Sequence, residues 1–188
     1  MVFSMKKVIV LFAIFLSLSI LCAGYSSSTM ALKEEIEYNS YNYVGSYSSS
    51  TNPYSVNSIS SNTVLENIID INIYEKLGLT LTGGLGYQKD IYEFNRFASI
   101  PSNINGKALF GVLYSPIDGL NISLSGGVRT SYLLSKSNWI SQVGGEASIG
   151  YTLDFGLKCY LASSYWYNTN YRSIIFGVGL GYSFGGER

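Results

Sequence analysis

Six charged residues stand within segments of alternating apolar and small side chains, and they share the face of the small residues. Three are acids and three are bases, so pairing of opposite charges would leave that face neutral. We predict that four of them, at similar depth, form a network of ion pairs and hydrogen bonds. An ion path is the functional alternative. The six are Glu66, Asp70, Lys107, Arg129, Glu146 and Lys158, and the four at similar depth are Glu66, Lys107, Arg129 and Glu146.

The residue types give catalysis little support. The chain contains no histidine, which excludes Ser–His and Cys–His nucleophile pairs and removes the commonest nitrogen ligand of zinc. Cys22 lies in the N-terminal apolar stretch, so Cys159 is expected to be a lone packed thiol. Glu34, Glu35 and Glu37 are interpreted as a solvated charge run. We therefore expect no enzyme activity, no cofactor and no bound metal.

The C-terminal stretch shows which element positions the charged groups. From Ile174 to Phe184 every second residue is apolar or aromatic, and those between are nearly all small. This period predicts a β-strand with one apolar face and one nearly bare face. The same pattern predicts eight strands at Glu37–Tyr47, Val64–Tyr74, Leu79–Gln88, Lys107–Ser115, Leu120–Tyr132, Ile140–Leu153, Leu157–Asn168 and Tyr171–Phe184.

Three stretches have the pattern of a β-hairpin, in which a strand ends near a tyrosine and a short turn contains glycine. The turns are predicted at Glu75–Gly78, Pro116–Gly119 and Asp154–Gly156. The registers that keep apolar residues on one face pair Ile73 with Leu79, Tyr114 with Leu120 and Leu153 with Leu157. Longer polar segments, chiefly Ser46–Asn62 and Gln88–Gly106, are predicted to be loops.

The same registers assign the two faces of the sheet. Small residues dominate the predicted inner face, which is typical of a narrow barrel lumen. Outward aromatic residues fall at two heights, as in the two aromatic girdles of a membrane barrel. The predicted girdle residues are Tyr114, Tyr151, Tyr182 and Phe184 near the turns, and Tyr87, Tyr132, Tyr165 and Tyr167 near the loops.

The N-terminus has the layout of a cleaved secretory signal peptide. Lys6 and Lys7 precede an apolar run that is short for a membrane span, and small residues follow it. We divide the chain into a signal peptide (1–24), an N-terminal segment (25–36), a β-barrel (37–184) and a C-terminal tail (185–188). Removing Lys6 and Lys7 from 12 basic residues leaves 10 against 12 acidic residues, which argues against a nucleic-acid partner.

The chain resembles the small outer-membrane barrels typified by OmpA, OmpX and the opacity proteins. The resemblance covers residues from about 35 to 184 and depends on the signal peptide, the hairpins, the girdles and the last strand, IIFGVGLGYSF. It implies an all-β, eight-stranded antiparallel up-and-down transmembrane barrel in the outer membrane of a didermic bacterium. It also implies recognition of the C-terminal strand by the barrel-assembly machinery, with Phe184 as the terminal aromatic residue.

The leading functional hypothesis is a non-enzymatic barrel with a plugged polar lumen, surrounded by outer-membrane lipid. Its loops would contact an unknown extracellular ligand, in adhesion, surface interaction or envelope integrity. A narrow porin-like channel is one alternative. The other is a soluble secreted lipocalin-like barrel, which would require apolar residues inside and polar residues outside.

Overall fold

The structure is a computed structural model that describes residues 26–43, 54–93, 103–133, 138–169 and 171–185. The predicted signal peptide and the last residues of the tail lie outside these ranges. Within the ranges, no helix has the length and apolar character needed to span a membrane.

Eight antiparallel strands form one closed barrel in which each strand pairs with the next and the last pairs with the first. The predicted fold class, an all-β up-and-down barrel, is therefore confirmed. The strands are β1 (Ser26–Tyr43), β2 (Tyr54–Tyr74), β3 (Leu77–Glu93), β4 (Asn103–Tyr114), β5 (Leu120–Leu133), β6 (Asn138–Thr152), β7 (Leu157–Tyr167) and β8 (Tyr171–Phe184).

The first strand starts well before its predicted position at Glu37. β1 begins at Ser26 and pairs with both β2 and β8 over most of its length, so the residues expected to precede the barrel complete it. The prediction placed the start too late because Lys33, Glu34 and Glu35 interrupt the apolar pattern. The predicted end of this strand, at residues 44–47, lies outside the described residues.

The strands also extend further toward the loops than predicted. β2 already begins at Tyr54, β3 continues to Glu93 and β4 begins at Asn103, so parts of both polar segments are strand. Polar composition suggested loops there. Inside a barrel, however, inward asparagine, serine and glutamine side chains can hydrogen-bond one another across the lumen.

One of the three predicted registers is correct and two are displaced. Leu153 donates its backbone N–H to Leu157, as predicted for the third hairpin. In the first hairpin Leu79 pairs with Ile71 rather than Ile73, and in the second Tyr114 pairs with Ile122 rather than Leu120. A shift of two residues leaves every side chain on the same face, so alternation cannot detect it.

The turns lie where the sequence placed them. The first hairpin closes through a two-residue turn at Glu75 and Lys76. Gly119 and Gly156, in the second and third turns, have φ angles of 80° and 92°. These values lie in the left-handed region, which glycine adopts without the penalty that a Cβ brings.

The outer surface of the barrel carries exposed aliphatic and aromatic side chains, here called the outer belt. A soluble barrel would reverse this arrangement, so the lipocalin-like alternative is wrong. The outer belt comprises Leu32, Ile36, Leu65, Leu81, Leu85, Phe110, Val112, Leu124, Val128, Val143, Ile149, Leu161, Ile174, Phe176, Val178 and Leu180.

The inner surface carries mostly small residues, as predicted, together with a few large anchors. Ile68 packs with Tyr160, and Leu109 and Ile175 pack with Trp166, so the inward apolar residues do fit the lumen. Gly179 faces Tyr160 directly, and a Cβ at this glycine would overlap the tyrosine ring. The bare inner face of β8 therefore makes room for side chains from other strands.

We predict that Gly179→Val destabilises the barrel, because the valine must displace the Tyr160 ring. Overpacking of this kind costs about 1–3 kcal/mol. The measurement is the urea midpoint at which the folded form, which migrates faster on unheated SDS gels, is lost.

Gly126→Val is the matched control. Gly126 lies on the outer face, where the nearest atom to a new Cβ, the carbonyl oxygen of Gly144, is 3.7 Å away. Equal destabilisation by the two valines would show that strand propensity, and not lumen packing, decides the result.

Candidate functional site

A cluster of five charged side chains occupies the middle of the lumen. Lys33 on β1 places its Nζ 2.9 Å from Glu35, 2.8 Å from Glu66 and 2.9 Å from Glu146. Lys107 on β4 places its Nζ 2.7 Å from Glu146 and also forms an ion pair with Glu66. These side chains, from β1, β2, β4 and β6, are here called the central cluster.

Two further ion pairs flank the central cluster along the barrel axis. Toward the loops, the Arg129 guanidinium donates two hydrogen bonds to the Glu37 carboxylate, at 2.6 and 2.7 Å. Toward the turns, Lys158 Nζ lies 3.0 Å from Asp70 Oδ2. Bidentate geometry makes the arginine pair the more directional of the two.

All six charged residues from the sequence analysis lie inside the barrel, but at three levels. Glu66, Lys107 and Glu146 meet in the central cluster. Arg129, expected at the same depth, pairs instead with Glu37 one level nearer the loops. The expected depth of Arg129 was wrong because it was taken from the number of residues between Arg129 and the nearest turn. In a closed barrel the strands are tilted, so the height of a residue along the barrel axis also depends on the tilt.

Three lumen charges were missed by the sequence analysis. Lys33, Glu35 and Glu37 are almost fully buried, so the interpretation of Glu35 and Glu37 as solvated is wrong. A signal was available, since these residues alternate with Leu32 and Ile36 and therefore occupy one face of a strand. With them, the described lumen holds five carboxylates and four cations, one negative charge away from the predicted balance.

Tyr160 extends the central cluster toward the turns. Its hydroxyl donates a hydrogen bond to Glu66, and its ring fills the space left by Gly179. Trp166 lies nearer the loops, where its indole N–H donates to Ser164 at 2.9 Å. Both rings alternate with outward residues on β7, so their inward direction was available from the sequence.

A layer of neutral polar side chains, here called the amide layer, covers the central cluster on the loop side. Asn62 Nδ2 donates to Glu35 at 2.5 Å and its oxygen accepts from Asn105 at 3.0 Å. Gln88 donates to Ser60 at 2.6 Å. The amide layer comprises Asn39, Ser60, Asn62, Gln88, Asn103, Asn105, Gln142 and Ser173.

The carboxylates of the central cluster could in principle hold a cation. Oxygens of Glu35, Glu66 and Glu146 lie within 4.8 Å of one another. The ammonium groups of Lys33 and Lys107 lie among these oxygens and neutralise most of their charge. The donor set therefore fits an internal ion-pair network.

A cavity of about 20 Å³ lies between the central cluster and the turns, bordered by Asp70, Glu146, Lys158 and Tyr160. This volume holds about one water molecule.

The predicted girdle residues all project from the outer surface. Tyr182 and Phe184 pack edge to face with ring centroids 4.9 Å apart, and Tyr132 packs on Trp139 at 4.8 Å. Arg172 lies 5.7 Å above the Tyr167 ring. The sequence analysis did not name Trp139, which shares the loop-side end of the barrel with Tyr132.

Solved structures share this fold. Ail, the attachment invasion locus protein of Yersinia pestis, solved with the heparin analogue sucrose octasulfate, is 10% identical with a TM-score of 0.55; the match covers 85% of this chain and 99% of Ail. OprG of Pseudomonas aeruginosa is 11% identical with a TM-score of 0.50, covering 87% of this chain and 98% of OprG. No family model and no curated protein matches the chain.

At such low sequence identity, the similarity to Ail and OprG establishes only the fold. The apolar outer surface of this chain indicates that the barrel lies in a membrane. A closed barrel satisfies its backbone hydrogen bonds without water, and the outer belt offers lipid an apolar surface. The fold and the outer belt together define a small outer-membrane β-barrel protein, located in the outer membrane.

We predict that Lys158→Met lowers the free energy of unfolding by about 3 kcal/mol, because it leaves the Asp70 carboxylate buried and unpaired. The double variant Asp70→Leu/Lys158→Met should recover most of this loss, since both charges are then absent. Urea titration of the purified barrel in detergent measures all three stabilities. Additive losses in the double variant would show that the two side chains do not interact.

Proposed function

We propose that the protein is a non-enzymatic outer-membrane barrel whose lumen is plugged and whose loops provide the surface for external contacts. The observation that carries the proposal is the central cluster, in which both lysines contact carboxylates from different strands. Its side chains cross the lumen at mid-height, and the amide layer closes the loop side. The rigid barrel then serves to hold loops.

The plug is supported by charge as well as by volume. The buried charged groups form ion pairs at each of the three levels, which is what a lumen without bulk water requires. The amide layer adds donors and acceptors that bond to each other rather than to solvent. A permanently open pore would instead leave such groups to water.

The two aromatic girdles support a defined position in the membrane. Tyr114, Tyr151 and Tyr182 mark the turn side, and Tyr87 and Tyr165 mark the loop side. Tyrosine places its ring in the apolar region and its hydroxyl at the interface. Outer-membrane lipid is thus the lateral partner, and the exposed strand β8 ending at Phe184 is the element for recognition by the barrel-assembly machinery.

The loop side is the surface for an extracellular ligand. β2 is the longest strand, with 21 residues, and β1 and β3 follow with 18 and 17. Segment 44–53 joins β1 to β2, and segment 94–102 joins β3 to β4. Loops on a rigid scaffold are a common place for binding. Adhesion, surface interaction and envelope integrity all use such a surface.

A narrow channel is the competing function, and the cavity on the turn side is the observation that favours it. Planar-bilayer conductance separates the two functions.

We predict that the wild-type barrel gives no stable channel, because the central cluster blocks the lumen. Wild-type conductance that rises when Arg129 and Glu146 are neutralised would overturn the plug.

A positive control shows that the assay can detect an opened lumen. In this variant all five residues of the central cluster become serine, which removes both the bulk and the charges of the cluster together, so that no charged group loses its partner. We expect it to conduct, provided that its heat-dependent gel mobility shows a folded barrel. If the folded five-serine variant still does not conduct, another part of the lumen, and not the central cluster, prevents the passage of ions.

We also predict the orientation of the loops. In a Cys159→Ser background, Thr51→Cys should react with a membrane-impermeant maleimide added to intact cells, because residue 51 falls between β1 and β2 in the chain, on the side that the proposal places outside. Asp118→Cys, in a short turn, should react only after the outer membrane is opened. Labelling of the turn alone on intact cells would reverse the proposed orientation.

A further inference from the structure

The central cluster carries one more negative charge than its lysines neutralise. Its carboxylates belong to Glu35, Glu66 and Glu146, and its ammonium groups belong to Lys33 and Lys107. The two flanking ion pairs each join one acid to one base, so both are neutral. The excess negative charge of the described lumen therefore lies in the central cluster, where burial makes a charge without a counter-ion costly.

Glu146 is the member of the central cluster that borders the cavity between the cluster and the turns, here called the turn-side cavity. Both lysines of the cluster contact its Oε2 atom, at 2.9 and 2.7 Å. Within the described ranges, none of its ion pairs or hydrogen bonds involves Oε1. The cluster residue that reaches the cavity thus has one carboxylate oxygen left for a ligand.

Three buried hydroxyl groups line the same cavity and have no hydrogen-bond partner in the described part of the chain. They belong to Thr80, Thr82 and Ser125, which are 2%, 8% and 7% exposed. Ser125 lies beside Glu146, because the two residues are partners between β5 and β6. Buried polar groups in proteins nearly always have a partner. These hydroxyl groups therefore indicate that the cavity holds a polar occupant.

The size and charge of the turn-side cavity restrict this occupant. Its volume of about 20 Å³ fits one water molecule or one bare ion of similar size. Carboxylate and hydroxyl oxygens are ligands for hard cations. Lys158 also borders the cavity, but its ammonium group is paired with Asp70 and does not neutralise Glu146. One further positive charge would balance the central cluster, whereas a divalent ion would leave an excess.

We propose that the turn-side cavity binds one dehydrated cation of single charge and about the size of sodium. Glu146 supplies the negative charge, and the three buried hydroxyl groups supply further oxygen ligands. The ion enters from the turn side, where the half-buried residues Asn121 and Ser123 border the cavity. The central cluster covers the cavity on the other side, and the bound cation makes this cluster neutral.

The stability of the purified protein in a non-ionic detergent tests the site. A ligand that binds only the folded state raises the urea midpoint of unfolding. At equal ionic strength, sodium chloride should give a higher urea midpoint than tetramethylammonium chloride, whose cation is too large for the cavity. Equal midpoints in the two salts would overturn the proposal and leave the cavity to water.

Glu146→Gln tests which residue supplies the charge. The variant keeps two lysines and two carboxylates in the central cluster, so the cluster is neutral without a bound cation. We expect the same urea midpoint in the two salts, together with the heat-dependent gel shift of a folded barrel. A sodium effect of wild-type size in this variant would show that the ion binds elsewhere, and the proposed site would be wrong.

The double variant Thr80→Val/Thr82→Val tests the hydroxyl ligands and leaves every charge in place. Loss of these ligands should raise the sodium concentration that gives half of the stabilisation about tenfold. Thr29→Val is the matched control, because it removes another buried hydroxyl group without a partner, one that lies outside the described lining of the cavity. An unchanged sodium dependence in the double variant, or an equal loss in the control, would contradict the proposal.

Discussion

Closure between β1 and β8 is the constraint on which the other features of this barrel depend. A sheet in lipid cannot leave an edge, because unpaired backbone N–H and C=O groups have no water to bond. β1 therefore pairs with β2 and β8 together, although its sequence is the least apolar of the strands. Once eight strands close, the lumen is narrow, and the inner face must consist of small residues wherever a large side chain from another strand fills the space beside it. Gly179 opposite Tyr160 is the clearest example.

The narrow lumen in turn determines how its charges are arranged. Because these groups are buried, each ionised group needs a protein partner. The structure supplies one at each level: Asp70 with Lys158, the central cluster, and Glu37 with Arg129. Buried ion pairs add little net stability compared with apolar packing, since desolvation offsets their attraction. Their value here is specificity, because Lys33 and Lys107 each contact carboxylates from several strands and so favour one register of closure.

The inner face of the barrel carries buried charged side chains and the outer face carries exposed apolar ones, and Glu34 is a charged residue on the outer face. Lys33 and Glu35, its neighbours on β1, are buried in the lumen, whereas Glu34 projects into the outer belt. A carboxyl group inside is balanced by lysines, but outside it has a threonine and the membrane. The ion pairs of the lumen thus connect strands to each other inside the barrel, whereas the Glu34 carboxylate accepts a hydrogen bond from Thr63 on the exposed outer face.

The sequence by itself determined the number of strands, their turns, the faces of β2 to β8 and the apolar outer surface, because all of these follow from local period-2 alternation and turn chemistry. It located Glu66, Lys107 and Glu146 on the inner face for the same reason. It did not determine the start of β1, two of the three registers, or which charges meet. Alternation cannot detect a two-residue shift in register, because every side chain stays on the same face. The pairing of Arg129 with Glu37 joins residues on β5 and β1, which are not neighbouring strands. Only closure of the tilted sheet, which sets the height of every strand relative to every other, decided those contacts.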